Sequence, residues 1–151
     1  MVTFISNSVE ETAALGERWG REAVPGLVIG LTGDLGAGKT QLVKGIARGL
    51  GIAGRVLSPT FALVHEYRGG RLALFHLDLY RLETRAQILG AGLEEYLNPT
   101  GVTVVEWADR CFNPDGLARE GNFHLPLCYR HVSLVAEGET CRRINYEDFG
   151  A

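Results

Sequence analysis

The chain has 151 residues and a formal net charge of −3, and 46% of its residues are hydrophobic while 22% are charged. These proportions are typical of a globular protein with a sizeable core, and the slight negative charge gives no general attraction for DNA. No apolar run approaches the ~20 residues of a membrane span, residues 1–6 lack a signal-peptide pattern, and the three cysteines are widely spaced. We therefore expect a cytoplasmic protein without membrane contact. The chain length predicts one domain over residues 1–151.

The first predicted element is a helix that begins at Ser8, which forms the S-x-x-E pattern of a capping box with Glu11. Pro25 and Gly26 end this helix, and the apolar run at residues 27–31 predicts a strand after it. The apolar side of the helix consists of residues at helical spacing, namely Val9, Ala13, Gly16, Trp19 and Ala23.

The next segment, residues 33–40, matches the phosphate-binding loop pattern G-x-x-x-x-G-K-S/T at every fixed position. Gly33 and Gly38 let backbone N–H groups surround phosphate oxygens, and the helix predicted after the loop adds the positive end of its dipole. Lys39 is expected to reach the β- and γ-phosphates, and the Thr40 hydroxyl is expected to bind Mg²⁺. The predicted nucleotide-binding residues of this segment are Gly33, Asp34, Leu35, Gly36, Ala37, Gly38, Lys39, Thr40 and Gln41.

Beyond this helix, turn residues divide the chain into shorter elements. In chain order these are a loop at residues 58–60, strands at 61–67 and 71–77 joined by a hairpin turn at Gly69-Gly70, a helix at 80–96 broken near Gly90 and Gly92, a buried strand at 102–105, an irregular stretch at 108–127, and a hairpin of strands 132–136 and 142–146. The mixture predicts the α/β class: a three-layer P-loop NTPase fold, whose mixed sheet has parallel strands at its centre and antiparallel strands at its edges.

Two acidic residues follow predicted strands directly. Asp78 ends the run at residues 71–77, and Glu106 ends the run at residues 102–105. Ligands of open α/β sheets lie beyond the carboxyl ends of the strands, so both carboxylates are expected to face the phosphates if the strands are parallel. Asp78 would then hold Mg²⁺, and Glu106 would position or deprotonate an attacking water. The alternative is that both acids are helix caps or solvated loop residues.

Two further residues have less specific signals. Thr60, in the loop after the phosphate-loop helix, resembles a switch that senses the γ-phosphate, although Ser58-Pro59-Thr60 is also ordinary turn chemistry. His76 lies two residues before Asp78 and so shares its strand face. It either orients the Asp78 carboxylate or is a packed core histidine.

Four motifs follow one another in the chain: Gly33-Asp34-Leu35-Gly36-Ala37-Gly38-Lys39-Thr40, Ser58-Pro59-Thr60-Phe61, His76-Leu77-Asp78-Leu79-Tyr80-Arg81-Leu82 and Glu106-Trp107-Ala108-Asp109-Arg110. This order resembles the TsaE family of bacterial ATPases, which are needed for the threonylcarbamoyladenosine (t6A) modification of tRNA. The resemblance implies an ATP/ADP- and Mg²⁺-binding enzyme whose weak hydrolysis depends on two partner proteins, TsaB and TsaD. TsaD carries the transferase chemistry on the tRNA adenosine, and direct contact of the ATPase with tRNA is left open.

The resemblance also implies roles for single residues. Lys39 and Thr40 match the residues that bind phosphate and Mg²⁺, and Thr60 belongs to the switch-like loop. Asp78 matches the metal-associated acid, and Glu106 matches the acid that is needed for hydrolysis and lies at the metal. Three more positions follow the same motifs: Trp107 beside the nucleotide, and Tyr80 and Arg81 as contacts to a partner or to the tRNA end. The stretch at residues 111–129 departs from the family in being longer and less patterned.

Two other functions share the phosphate-binding loop. A small-molecule kinase needs an acceptor pocket and usually an arginine-bearing lid, for which Arg81 and Arg85 are candidates, but the sequence shows no lid insertion. A nucleotide-gated assembly module would bind nucleotide without appreciable hydrolysis. A Glu106→Ala variant that loses turnover and keeps nucleotide binding would separate the ATPase from this module.

Overall fold

The structure is a computed structural model that describes residues 1–34, 36–53, 64–82, 84–97, 99–112 and 126–150. The regular elements of these residues are β1 (Val2–Ser6), α1 (Val9–Glu22), β2 (Leu27–Thr32), α2 (Lys39–Gly49), β3 (Val64–Tyr67), β4 (Leu74–Asp78), α3 (Arg85–Gly90), β5 (Val102–Glu106), β6 (Cys128–Ala136) and β7 (Arg142–Gly150). Two short 3₁₀ turns, Glu94–Leu97 and Ala108–Arg110, follow α3 and β5. Among the helices of these ranges, none has the length and apolar character needed to cross a membrane.

All these strands form one sheet in the order β1-β7-β6-β2-β5-β4-β3. The four central strands, β6, β2, β5 and β4, run parallel to one another. The outer strands β3, β7 and β1 pair antiparallel with their neighbours. Strand β5 is buried along its whole length, as expected for a parallel strand that is covered on both faces. The predicted α/β fold with a parallel centre and antiparallel edges is confirmed.

The alternation of side chains along β2 assigns one apolar cluster to each face of the sheet. Ile29 and Leu31 belong to the cluster that α1 and α2 cover. Val28 belongs to the other cluster, to which α3 and the 3₁₀ turn after it contribute Ile88 and Leu97. The sheet is therefore sandwiched between two apolar layers, as a three-layer α/β arrangement requires.

Helices α1 and α2 approach each other closely through small residues. A Cβ added at Gly16 would lie 2.3 Å from the Leu42 carbonyl oxygen, and one added at Gly45 would lie 2.0 Å from the Ala13 carbonyl oxygen. These distances are far inside van der Waals contact, so only glycine allows the two backbones to pack at this separation. Because α2 begins at the end of the glycine loop, this contact also helps to fix the position of the loop.

The start of α1 agrees with the predicted cap. The Ser8 side chain accepts a hydrogen bond from the Glu11 N–H at 3.1 Å. The reciprocal bond differs from the predicted capping box, since the Glu11 carboxylate accepts from the N–H of Asn7 rather than of Ser8. Val9, predicted on the apolar side, is exposed, whereas Trp19 is buried.

The helix predicted at residues 80–96 is wrong over most of its length. Only Arg85–Gly90 is α-helical, and Glu94–Leu97 is a 3₁₀ turn. The helix begins late because Thr84 caps it: the Thr84 hydroxyl accepts from the Gln87 N–H at 3.2 Å, and the Gln87 side chain accepts from the Thr84 N–H. The break near Gly92 agrees with prediction, since Gly92 has a φ of +75°.

The hairpins are confirmed in their pairing and corrected in their extent. Residues 64–67 pair with 74–77 as predicted, while residues 61–63, the loop at 58–60 and residues 113–125 of the irregular stretch lie outside the described residues. The last two strands run longer than predicted. Strand β1 was not predicted, and it forms by pairing with β7, which lies at the far end of the sequence.

We predict that Gly45→Ala lowers the free energy of unfolding by about 1–3 kcal/mol, because the added methyl group collides with the α1 backbone. Urea unfolding followed by circular dichroism measures the change. Gly90→Ala is the matched control, since a Cβ at this helical glycine meets nothing within 4 Å among the described residues. Equal stability of the two variants would contradict the close contact between α1 and α2.

Candidate functional site

The glycine loop links the end of β2 to the start of α2, as predicted. Gly33, Gly36 and Gly38 all have positive φ angles, of 148°, 81° and 100°. Gly38 occupies the N-cap of α2 in the left-handed conformation and has no side chain with which to cap the helix. The backbone N–H groups at the start of α2 therefore remain available to an anion, which is the condition for phosphate binding at a helix N-terminus.

Lys39 lies at the mouth of this loop and is only 5% exposed. Its ammonium donates a hydrogen bond to the Gly33 carbonyl oxygen at 2.7 Å. It also lies 4.5 Å from the centre of the Trp107 ring, a cation–π distance. The charge is thus held between the loop and the segment after β5. Thr40, Gln41 and Gly38 are half-buried beside it, and Leu35 lies outside the described residues.

The two predicted acids lie side by side at the carboxyl ends of neighbouring strands. Asp78 and Glu106 are register partners in the parallel pair of β4 and β5, and Glu106 is also the register partner of Leu31 in β2. The end of β2 that leads into the glycine loop therefore lies at the same edge as both carboxylates. This is the arrangement that the sequence predicted for Asp78 and Glu106.

The pKa of Asp78 responds to the charges of both Glu106 and Lys39, so these three groups lie close enough to interact. Burial raises the pKa of the Asp78 carboxyl above its ordinary value, and the neighbouring Glu106 charge raises it further. The Tyr80 N–H, which donates to Asp78 at 2.9 Å, and the charge of Lys39 act in the opposite direction. A corner with two partly buried carboxylates favours a bound cation.

His76 contacts a different acid from the one expected. Its Nε2 atom lies 2.6 Å from Oε2 of Glu106, and the imidazole is fully buried. The prediction that His76 orients the Asp78 carboxylate is wrong as to its direct partner, since the hydrogen bond crosses from β4 to β5. The two-residue period of a strand predicted that His76 lies on the same face as Asp78. It could not predict which side chain of the neighbouring strand His76 contacts.

Trp107 follows Glu106 in an unusual backbone conformation. Its φ of 63° and ψ of 41° are left-handed, and within the described part of the chain it is the one non-glycine residue with positive φ. The indole packs against the Tyr80 ring, with 5.2 Å between the ring centres. Such strained backbone persists where surrounding contacts hold it, and here it directs the indole towards Lys39.

Arg110 supplies those contacts, and the sequence did not single it out. Its guanidinium donates to the carbonyl oxygens of Leu79, Tyr80 and Leu82 and lies 5.0 Å from the centre of the Trp107 ring. The segment after Asp78 is thereby tied to the segment after Glu106. The one signal in the sequence was the place of Arg110 at the end of the fourth motif.

Arg142 is a second residue that the sequence did not indicate. From the start of β7 its guanidinium donates to the Gly36 carbonyl oxygen of the glycine loop at 3.2 Å. It also donates to the carbonyl oxygens of Gly138 and Cys141, at 2.9 and 3.0 Å. The hairpin of β6 and β7 therefore braces the glycine loop across 106 residues of sequence.

The remaining predicted residues have different outcomes. Asp34 and Gly36 are exposed on the loop and Ala37 is buried beneath it. Tyr80 is 52% exposed and Arg81 is exposed beside it. Thr60 lies outside the described residues, so its switch role stays a prediction.

A glycine loop between a central parallel strand and a helix, with acids at the ends of neighbouring strands, is characteristic of the P-loop NTPase fold. The family model described as "Threonylcarbamoyl adenosine biosynthesis protein TsaE" matches residues 6–139. The chain therefore belongs to the TsaE family, and the resemblance found in the sequence is confirmed.

Several relatives carry the name "tRNA threonylcarbamoyladenosine biosynthesis protein TsaE". The chain is 48% identical to the Synechocystis protein over 102 residues, covering 62% of this chain and 64% of the relative. It is 50% identical to the Bacillus subtilis protein over 99 residues, covering 66% and 61%, so the match spans less than two thirds of either relative. With the Mycobacterium tuberculosis protein it shares 39% identity over 149 residues, covering 93% and 78%.

A solved structure has the same architecture. The crystal structure of Bacillus subtilis YdiB superposes with a TM-score of 0.73 at 34% sequence identity, covering 96% of this chain and 83% of that chain. The similarity extends over nearly the whole chain and is not limited to the phosphate-binding loop.

We predict that Arg110→Ala lowers the free energy of unfolding by about 1–3 kcal/mol, because three carbonyl groups lose their donor and the Trp107 ring loses its cation. Urea unfolding measures the change. The control is Arg48→Ala, which removes an exposed charge 3.8 Å from Glu17 and should cost at most about 1 kcal/mol. If the two variants unfold alike, Arg110 does not hold this corner together.

Proposed function

We propose that this protein is an ATPase that binds and hydrolyses ATP with Mg²⁺ and supports the t6A modification of tRNA in the cytoplasm. Membership of the TsaE family supports the modification pathway. The observation that carries the catalytic part is the convergence of Lys39, Asp78 and Glu106 at one edge of the sheet. That arrangement combines a phosphate-binding cation with two acids that match the needs of metal binding and hydrolysis.

The binding of the triphosphate is assigned to the glycine loop and α2. The positive φ angles of Gly36 and Gly38 are of the kind found in backbone nests that bind phosphate, and the uncapped start of α2 adds N–H donors. Lys39 exchanges its hydrogen bond with the Gly33 carbonyl for bonds to phosphate oxygens. Trp107, 4.5 Å from the ammonium, then lies beside the bound nucleotide.

The residues of the site fit Mg²⁺. Within the described residues, no group of three or more acidic, histidine or cysteine side chains forms a complete metal cage. Mg²⁺ rarely uses such a cage, since it is held by one or two carboxylates, water and the phosphates of the substrate. We assign Thr40, Asp78 and Glu106 as the protein groups that hold it. When bound, Mg²⁺ neutralises charge on the phosphates during transfer to water.

Hydrolysis is assigned to Glu106, which orients or deprotonates the attacking water. The carboxylate is mostly buried at the end of β5, where few bulk waters compete with the one that reacts. Thr60 is proposed to sense the γ-phosphate from the switch-like loop, on the strength of the family resemblance alone.

The proposed partners are TsaB and TsaD. The exposed Tyr80 ring packs against Trp107, which in turn lies 4.5 Å from the Lys39 ammonium, so a protein that covers this corner would lie beside the proposed nucleotide site. Arg81 is exposed at the same place and adds positive charge. Such a surface suits a partner that raises a weak hydrolytic rate. The protein would contact tRNA either indirectly, through the assembled complex, or directly, through Arg81.

We predict that Lys39→Ala abolishes measurable nucleotide binding, because the loop loses the cation that is assigned to the phosphates. Titration with a fluorescent ATP analogue in the presence of Mg²⁺ measures the affinity. Lys44→Ala is the matched control, since Lys44 is the exposed lysine of the same helix. Normal binding by the Lys39 variant would refute the nucleotide site.

We predict that Glu106→Gln lowers kcat for ATP hydrolysis by about 10²-fold or more while the nucleotide affinity stays close to that of the wild type. Phosphate release is measured with and without TsaB and TsaD. Glu10→Gln, at an exposed position of α1, is the control. Equal hydrolysis by the Glu106 variant and the wild type would remove Glu106 from catalysis. A wild type that binds ATP but never hydrolyses it would instead be a nucleotide-gated assembly module.

A further inference from the structure

We propose that His76 is a positioning residue for hydrolysis, which fixes the Glu106 carboxylate through a single directed hydrogen bond. The inference deepens the proposed function and rests on it. His76 lies in the middle of β4, one strand away from Glu106, and is 0% exposed. The acid assigned to hydrolysis is therefore held by a group that itself makes no contact with bulk water.

The geometry makes this hydrogen bond directional. Nε2 of His76 lies 2.6 Å from Oε2 of Glu106. Nδ1 of the same ring is buried and has no hydrogen-bond partner among the described residues. In a neutral ring opposite an ionised Glu106, a proton on Nδ1 would be a buried unsatisfied donor and would leave two acceptors facing each other at 2.6 Å. The structure therefore assigns the Nε2–H tautomer, with His76 donating to Glu106.

Packing alone does not account for a histidine at this position. The neighbouring β4 residues Leu74 and Leu77 are fully apolar and buried, and a leucine at position 76 would fill the core without an unpaired Nδ1. A buried polar ring that leaves one nitrogen unsatisfied costs free energy. Among the described residues, the hydrogen-bond partner of the His76 ring is Glu106. This hydrogen bond therefore accounts for a histidine at position 76.

The consequence for Glu106 is a restricted side chain. One carboxylate oxygen is occupied by His76, so the other oxygen is left for water or metal. The strand pair fixes the distance between the two backbones, because His76 and Val104 are register partners two residues before Asp78 and Glu106. A group on a rigid strand that holds the reacting carboxylate reduces the number of orientations that this carboxylate samples before the reaction.

Two substitutions at position 76 separate positioning from packing. In His76→Gln the side-chain amide nitrogen reaches the place of Nε2 and can still donate to Glu106, whereas in His76→Asn it reaches only the place of Nδ1. We expect His76→Asn to lower kcat by about 10- to 100-fold with little change in nucleotide affinity. His76→Gln is expected to restore most of the lost rate.

His131→Asn is the matched control. His131 is likewise a strand histidine, half-buried where His76 is fully buried, and it contacts the Tyr129 hydroxyl at 2.8 Å rather than a site carboxylate. Its removal should leave kcat unchanged. Equal losses in the Asn and Gln variants at position 76, or an equal loss in His131→Asn, would show that only core packing is affected and would overturn the inference.

A second measurement does not need turnover. A long-range ¹H–¹⁵N spectrum of the wild-type imidazoles, with His76 assigned by its absence from His76→Gln, reports which ring nitrogen carries the proton. We expect Nε2–H in the wild type and a changed His76 signal in Glu106→Gln. A proton on Nδ1 alone would refute the inference. A wild type that neither binds nor hydrolyses ATP but shows the Nε2–H bond to Glu106 would instead refute the proposed function.

Discussion

The candidate site depends on the parallel register of β2, β5 and β4. Hydrogen bonds between these strands set Leu31 opposite Glu106, and Glu106 opposite Asp78. Because all three strands run in the same direction, the start of the glycine loop and both carboxylates emerge at one edge of the sheet. A shift of one residue in either pair would turn a side chain to the opposite face and separate the acids from the loop.

The charged side chains Lys39, Glu106 and Asp78 at this edge are each stabilised by a neighbouring group. Lys39 is almost fully buried but bonds to the Gly33 carbonyl and lies against the Trp107 ring. Glu106 is buried but accepts from His76. Asp78 accepts from the Tyr80 N–H, which offsets part of the rise in the pKa of Asp78 that burial causes. Each partner lowers the cost of burying a charged group, and each fixes the orientation that the proposed chemistry needs.

Two arginines brace the site from distant parts of the chain. Arg110 ties the residues after β4 to the left-handed turn after β5, and thereby holds Trp107 beside Lys39. Arg142 joins the last hairpin to the glycine loop at Gly36. The close contact of α1 and α2 through Gly16 and Gly45 fixes the helix that follows the loop. Such support from distant elements restricts the conformations of the candidate site.

The sequence by itself determined the features whose causes are local. The glycine loop is contiguous, the hairpin of β3 and β4 has its turn residues between its strands, and Asp78 and Glu106 directly follow apolar runs. The tertiary structure decided which side chains meet across the fold. The His76–Glu106 bond spans 30 residues, and the Arg142–Gly36 bond spans 106. Likewise, β1 forms only through its pairing with β7, and the residues after Asp78 are held in a turn by Arg110 instead of a helix. Helical or strand periodicity reports a residue's immediate neighbours, whereas these contacts depend on strand order and register, which no local pattern specifies.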